Sequence, residues 1–187
     1  MRNLPIVITG PSGVGKGTVK SELLKADDSL IESISCTTRA PRKGEVDGEN
    51  YFFITRREFE SRIKENDFLE YEEVYDGTCY GTPRSFVERQ LKEKSVILEI
   101  DVIGGLNAKR LMPQTVLIML VPPTYEELRR RLVGRKTESE EEIQKRLNRV
   151  KFELDQQPLY DYVVINDDLK TTVKKVQEII NFERNRD

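Results

Sequence analysis

Residues 10–18 read Gly10-Pro11-Ser12-Gly13-Val14-Gly15-Lys16-Gly17-Thr18, directly after the apolar run Leu4-Pro5-Ile6-Val7-Ile8-Thr9. An apolar run of this length reads as a buried strand, and the segment after it reads as a glycine-rich turn opening a helix. Glycines let the backbone fold inward so that several N–H groups face one anion, and a helix N-terminus adds the positive end of its dipole. Lys16 then supplies a mobile charge for the outer phosphates of that anion. The usual pattern places Ser or Thr immediately after the lysine, whereas here Gly17 intervenes and the hydroxyl arrives at Thr18. A tight strand-to-helix turn that is merely glycine-rich would not also need Lys16 and Thr18. The segment points to a nucleoside polyphosphate.

Beyond this stretch, 187 residues suit one domain with a substantial core. Charged residues make up 34% and hydrophobic ones 37%, the balance of an ordinary soluble protein. A formal net charge of −2 argues against a broadly basic nucleic-acid binder, so any anion site must be built from local clusters of Arg and Lys. No apolar stretch approaches the roughly 20 residues of a membrane helix, and no secretory signal opens the chain; a cytoplasmic location is expected. Cys36 and Cys79 are too few and too separated for a disulfide framework or a zinc site. The chain has no histidine, which excludes Ser-His and Cys-His nucleophilic mechanisms and histidine metal sites. Chemistry here must rest on positioning, positive charge and carboxylates, and phosphoryl transfer meets that restriction.

Strands are expected over Ile6–Thr9, Ile31–Cys36, Val96–Ile100, Thr115–Val121 and Tyr162–Ile165. Three of these runs are rich in Val, Ile and Leu with little alternation, as parallel strands buried on both faces should be. Capping-box spacing at Thr55/Glu58, Thr124/Glu127 and Ser139/Glu142 marks helix starts. Apolar stripes at helical spacing run through Ile143, Leu147, Val150 and Leu154, and through Leu169, Val173, Val176, Ile179 and Ile180. This alternation predicts an α/β domain with a parallel sheet. Residues 37–54 and 66–82 interrupt it as a short-stranded insertion. Residues 134–149 form a charged arm leading into Lys145, Arg146 and Arg149, and most of its glutamates read as a solvated face.

A second constellation begins at Ser35-Cys36-Thr37-Thr38-Arg39-Ala40-Pro41-Arg42-Lys43-Gly44-Glu45. Two arginine forks with the tyrosines Tyr51 and Tyr80 would suit a terminal phosphate monoester. Each also has a plain alternative, as a surface arginine or a tyrosine packed at a sheet edge. Thr82 before Pro83 is expected to act as a helix N-cap, a role compatible with a second one in a site.

The loop Gly10–Thr18, the run Ser35–Glu45, Tyr80-Gly81-Thr82, Leu98-Glu99-Ile100-Asp101, the arm from Gly134-Arg135 to Arg146, and Val164-Ile165-Asn166-Asp167-Asp168 together resemble the guanylate kinase family. The resemblance keeps the family's order and spacing and spans nearly the whole chain. It implies an α/β, three-layer P-loop kinase fold with a five-stranded parallel sheet core, a small mixed α/β GMP-binding insertion and a helical lid. The implied boundaries are a core of about 1–34, 83–123 and 156–187, a GMP-binding region of about 35–82, and a lid of about 124–155. The implied reaction is ATP + GMP ⇌ ADP + GDP with Mg²⁺; a monomer or homodimer that engages neither nucleic acid nor membrane is expected.

By position, the resemblance assigns ATP to Gly10, Pro11, Ser12, Gly13, Val14, Gly15, Lys16, Gly17 and Thr18, with Asn166 in the adenine-side loop. Arg39, Arg42, Tyr51 and Tyr80 match residues that hold the GMP phosphate, and Ser35, Glu70 and Thr82 match those that read guanine. Guanine offers N1–H and its 2-amino group as adjacent donors to one carboxylate, while adenine would leave Glu70 desolvated and unpaired. Asp101 resembles the family's acid near the metal and GMP. Glu99 stands where the family more often has aspartate. Arg135 and Arg146 match lid arginines, which with Lys16, Arg39 and Asp101 form the expected catalytic set. With no hydroxyl after Lys16, Mg²⁺ is expected on ATP oxygens and waters, near Thr18 and Asp101. Cys36 beside Ser35 and Cys79 beside Tyr80 raise the expectation that oxidation impairs GMP binding. Two other readings stand beside this one: a non-catalytic, peptide-binding domain like those of membrane-associated adaptors, and a P-loop kinase acting on another phosphorylated acceptor.

Overall fold

Pro5–Thr9 (β1) and Val116–Val121 (β8) are buried at every position, so their side chains must be covered on both faces. They lie in a five-stranded parallel sheet with Leu30–Glu32 (β2), Ser95–Glu99 (β7) and Tyr162–Ile165 (β9), in the order β2-β7-β1-β8-β9. The structure, a computed structural model, describes residues 1–74, 77–133 and 140–186, and for 130–133 and 140–146 the backbone alone.

Side chains alternate across the sheet, so each strand feeds two cores. On one face, Ile6, Ile8, Ile97, Ile118 and Leu120 pack with Val19 and Leu23 of Lys16–Ala26 (α1) and with Val176 and Ile180 of Leu169–Asn185 (α7). On the other, Val7, Val96, Leu98, Leu117 and Met119 pack with Val87 of Arg84–Gln90 (α3) and Ala108 of Val102–Leu111 (α4). The register pairs Ile8 with both Glu99 and Ile118, which brings the carboxyl ends of β1, β7 and β8 to one edge. Crevices outside that edge are where parallel α/β sheets bind ligands.

A second, four-stranded mixed sheet has the order β4-β3-β6-β5, from Cys36–Thr37 (β3), Phe52–Phe53 (β4), Phe68–Glu73 (β5) and Cys79–Pro83 (β6). Its core is separate: Cys36, Phe59, Phe68 and Cys79, with Phe59 of Arg56–Lys64 (α2) stacked on Phe68 at 4.5 Å. Tyr125–Val133 (α5) and Glu140–Asp155 (α6) pack through Leu128, Leu147 and Val150, and a 3₁₀ turn, Gln157–Leu159, leads into β9.

Helix starts follow their sequence signals unevenly. Thr55 and Glu58 form the expected capping box, and the Glu127 N–H donates to the Thr124 hydroxyl. Ser139 lies outside the described residues. Two expectations are corrected. The run Ile31–Cys36 is not one strand: β2 ends at Glu32 in the large sheet, and β3 opens at Cys36 in the small one. A contiguous apolar segment cannot signal that the chain changes sheets within it. Thr82 is not a helix cap either, because it lies within β6, and α3 starts after Pro83 without a side-chain cap. The Asp67 carboxylate accepts from the Ser85 N–H instead.

At Gly10, with φ +140°, an added Cβ would collide with the backbone carbonyl of Leu120. Gly10→Ala should therefore destabilise the protein by about 3 kcal/mol or more, because backbone in a central strand cannot yield. Gly44 has φ +90° with nothing within 4 Å, so Gly44→Ala should cost only about 1–2 kcal/mol of backbone strain. Denaturant unfolding of the two variants measures the difference.

Candidate active site

The helix after β1 is left open at its N-terminus. Its cap residue, Gly15, has φ +101° and offers no side-chain acceptor, and no acid occupies the first turn. By contrast Asp101 caps α4 by accepting from the Gly104 N–H, and Asp168 caps α7 by accepting from Thr171. The N–H groups of α1 are thus available to an anion. The loop is braced from behind by Asn166, which is buried and donates from Nδ2 to the Val14 carbonyl at 2.7 Å. An added Cβ at Gly15 would stand 2.6 Å from that nitrogen, so the brace and the glycine require each other. Lys16 folds over the loop and donates from Nζ to the carbonyls of Gly10 (2.7 Å) and Pro11 (3.3 Å). Burial holds its pKa below the ordinary lysine value, with Glu99 and Glu153 partly offsetting the effect.

Opposite this loop stands the small sheet. Register sets Glu70 of β5 across from Thr82 of β6, and the Thr82 hydroxyl donates to Glu70 Oε1 at 2.6 Å. Ser35 Oγ lies 3.5 Å from Thr82 Oγ1, so the three expected guanine readers form one cluster. Burial pushes the Glu70 carboxyl up to about 7, and the Thr82 hydrogen bond only partly counters it. Tyr51 and Tyr80 meet edge to face at 5.9 Å.

Arg39 is already engaged. Its two terminal nitrogens donate to the two oxygens of Glu45, each at 2.7 Å, and its guanidinium lies 5.2 Å from the Tyr51 ring centroid. The Arg39 ion pair, with a further hydrogen bond from the Arg42 N–H, holds Glu45 down at about 2. Arg39 Nε is buried without a partner among the described residues. Arg42 is exposed.

Between the two halves lies a cleft of about 590 Å³. Gly10, Ser12, Gly13 and Lys16 line one side, and Ser35, Tyr51, Glu70, Glu72, Tyr80 and Gly81 the other. Glu99, Ile100, Asp101, Arg149 and Glu153 complete the wall. Of the expected residues, Lys16, Ser35, Tyr51, Glu70, Tyr80, Glu99 and Asp101 thus face one space, and Thr82 joins them through Glu70. Arg135 lies outside the described residues, as does the side chain of Arg146. Arg149 and Glu153 were absent from the expected site, although Arg149 comes one helical turn after Arg146, a spacing that signals a shared face. Cys36 and Cys79 are both buried, and burial pushes the Cys36 thiol up to about 11 and raises that of Cys79, so neither is a ready thiolate.

A divalent cation fits this site only as a companion of the polyphosphate. Among the described residues, no group of three or more carboxylates or thiols could hold one unaided. Glu99 lies near Gly17, with its oxygens 3.7–3.8 Å from where a Cβ would stand, and it pairs with Lys20 at 2.7 Å. Oxygen donors of this kind suit a hard cation that keeps phosphate and water ligands.

An uncapped helix behind a glycine loop, at the carboxyl edge of a parallel sheet, places the molecule among the P-loop phosphotransferases. Comparison with known proteins narrows the class. The family model described as guanylate kinase matches residues 2–183. A guanylate kinase of Caldanaerobacter subterraneus subsp. tengcongensis is 50% identical over 99% of this chain and 90% of its own length. One from Halalkalibacterium halodurans is 49% identical over 97% and 89%. The crystal structure of guanylate kinase from Anaplasma phagocytophilum is 34% identical, with a TM-score of 0.75, covering 99% of this chain and 88% of that one. The chain belongs to the guanylate kinase family, and its activity is that of a nucleotide-binding kinase.

Glu70 links this site to stability. Its folded pKa lies above the ordinary carboxylate value, so between about pH 4.5 and 7 the native state holds more protons than the unfolded one. Stability from this group therefore falls as pH rises through that window. Glu70→Gln should raise the stability of the ligand-free protein at pH 8 by about 2–3 kcal/mol, with the gain vanishing below about pH 4.5. Thermal or urea unfolding at the two pH values measures it.

Proposed function

We propose that the two halves of the cleft hold ATP and GMP together, and that the γ-phosphoryl group passes directly from one to the other. The observation that carries this reading is the Glu70–Thr82–Ser35 cluster facing the phosphate loop across one cleft. A carboxylate placed there can accept the N1–H and 2-amino donors of guanine, and the Ser35 and Thr82 hydroxyls can donate to guanine O6. Burial raises the cost of leaving Glu70 ionised without a partner, and that cost falls on adenine and pyrimidine monophosphates.

On the donor side, the loop from Gly10 to Thr18 wraps the ATP phosphates, and Lys16 exchanges the Gly10 and Pro11 carbonyls for phosphate oxygens. Asn166 serves that loop by holding Val14. Thr18, Glu99 and Asp101 are the oxygen donors that would help hold a Mg²⁺ carried on ATP, which would neutralise phosphate charge. On the acceptor side, Arg39, Arg42, Tyr51 and Tyr80 hold the GMP phosphate. Arg39 is set for this by Glu45, which takes its two terminal nitrogens and leaves Nε open. Arg135 and Arg146 are assigned to the phosphoryl group in transfer. Residues 35–82 act as the acceptor unit, 124–155 as the lid, and the remainder as the core. The enzyme forms no covalent intermediate, because a GMP phosphate oxygen attacks the γ-phosphorus in line.

The reading extends to a cytoplasmic monomer or homodimer that binds neither nucleic acid nor membrane. Two free cysteines and a slightly acidic net charge support it, and among the described residues no helix is long and apolar enough to cross a membrane.

A coupled assay over GMP, AMP, dTMP and UMP tests the assignment, with GMP expected to be preferred by at least about 10³-fold in kcat/KM. Glu70→Gln should lower the GMP/AMP ratio by about 100-fold while ATP affinity changes less than about 3-fold. Lys16→Met should lower kcat by about 10²–10³-fold or more. Turnover preferring AMP, or an unchanged ratio in Glu70→Gln, would contradict the guanine-reading role.

A further inference from the structure

Among the described residues, the wall of the cleft carries more negative than positive charge. Glu70, Glu72, Glu99, Asp101 and Glu153 line it, against only Lys16 and Arg149 among the described residues. The reactants bring several further negative charges into the same space, and the phosphoryl group in transit spreads charge over its outer oxygens. Each cation among the described lining residues therefore faces uncompensated negative charge.

Arg149 sits at the junction of the two half-sites. From α6 it reaches Asp101 Oδ2 with Nη2 at 3.5 Å, at the end of the strand β7 that carries Glu99. It repels Lys16 on the donor side and is attracted by Glu72 of β5 on the acceptor side. Its Nε donates to Glu153 Oε1 at 3.2 Å, and the Glu153 side chain is only 9% exposed. That buried acid fixes the stem and leaves the outer edge of the guanidinium directed into the cleft. A purely structural purpose is poorly served by this arrangement. The Arg149 side chain is 62% exposed, and a 3.5 Å pair to a solvent-facing carboxylate contributes little to folding.

We propose that Arg149 is a catalytic residue of this kinase, donating to the phosphoryl group as it passes between ATP and GMP. In that step the bond from the γ-phosphorus to the β–γ bridging oxygen breaks, and its electron pair leaves with ADP. A GMP phosphate oxygen forms the new bond to phosphorus. Arg149 keeps its proton throughout; its Nη edge leaves Asp101 for the equatorial oxygens, where it offsets charge that is shared by neither ground state alone. The proposal rests on the reading of the cleft as a two-substrate site.

The test uses the full chain with Arg149→Ala and the near-isosteric, uncharged Arg149→Met. The probes are GMP alone, a non-hydrolysable ATP analogue alone, and a bisubstrate compound in which adenosine and guanosine are joined 5′ to 5′ through five phosphates. Both variants should lose about 30-fold or more in kcat. Their affinity for the bisubstrate compound should fall at least about 10-fold, while affinity for each single ligand stays within about 3-fold; thermal stability falls modestly, because the buried Glu153 loses its partner. Wild-type kcat and bisubstrate affinity in both variants would overturn the proposal, as would an equal loss of affinity for either single ligand. Failure of the wild type to bind GMP or to phosphorylate it would instead overturn the two-substrate reading itself.

Discussion

The site depends on a set of hydrogen bonds that the fold leaves unmade. Helix α1 begins at Gly15 with no side-chain acceptor and no acid in its first turn, while other helices at the same edge of the sheet have caps of their own. Open N–H groups are costly unless solvated or matched by a ligand, so such an opening persists only where the surrounding backbone is held rigidly. That rigidity comes from two long-range contacts: Gly10 against the backbone of Leu120, and Asn166 on the Val14 carbonyl. Both partners belong to strands β8 and β9 or their ends, more than a hundred residues away in the chain. The anion cradle is therefore a property of the packed sheet, although its glycines are contiguous.

The rest of the cleft is organised by charge. Lys16 and Glu70 face each other from opposite halves, and burial pushes both toward their neutral forms. On the proposed reading, each is a group whose stabilising partner comes with substrate: phosphate for the lysine, guanine donors for the carboxylate. The ligand-free protein bears the desolvation of both. On the same reading, a nucleotide without adjacent donors would leave Glu70 as costly as it was before binding. Arg39 and Glu45 settle their charges within the protein, a bidentate pair that keeps one guanidinium oriented before any substrate arrives.

Much of this was legible in the residues themselves. The phosphate loop, the parallel order of buried strands and the Thr55–Glu58 capping box all carry local signals, while Ser35, Glu70 and Thr82 were brought together only by the family resemblance. The readings that failed share one cause. The run Ile31–Cys36 looks like a single strand because hydrophobic pattern does not report a change of sheet, and Thr82 before Pro83 looks like a cap because the dipeptide has that local preference. Tertiary pairing with Glu70 overrides the preference. Arg149 was hidden for the opposite reason: in a stretch crowded with charge, only distance to Asp101 and Glu153 separates it from solvated neighbours.

Residue types and their spacing were enough to limit what chemistry is possible. A glycine loop with Lys16 binds phosphate, the absence of histidine removes whole classes of catalysis, and alternating apolar runs and helices dictate a parallel sheet. These are consequences of local physics, namely backbone freedom, side-chain chemistry and periodicity. Tertiary structure alone decided which polar groups meet: Glu70 with Thr82, Asn166 with the Val14 carbonyl, Arg149 with Asp101. Pairings of that kind depend on register and crossover, and desolvation gives them their energies only once the chain has closed around them.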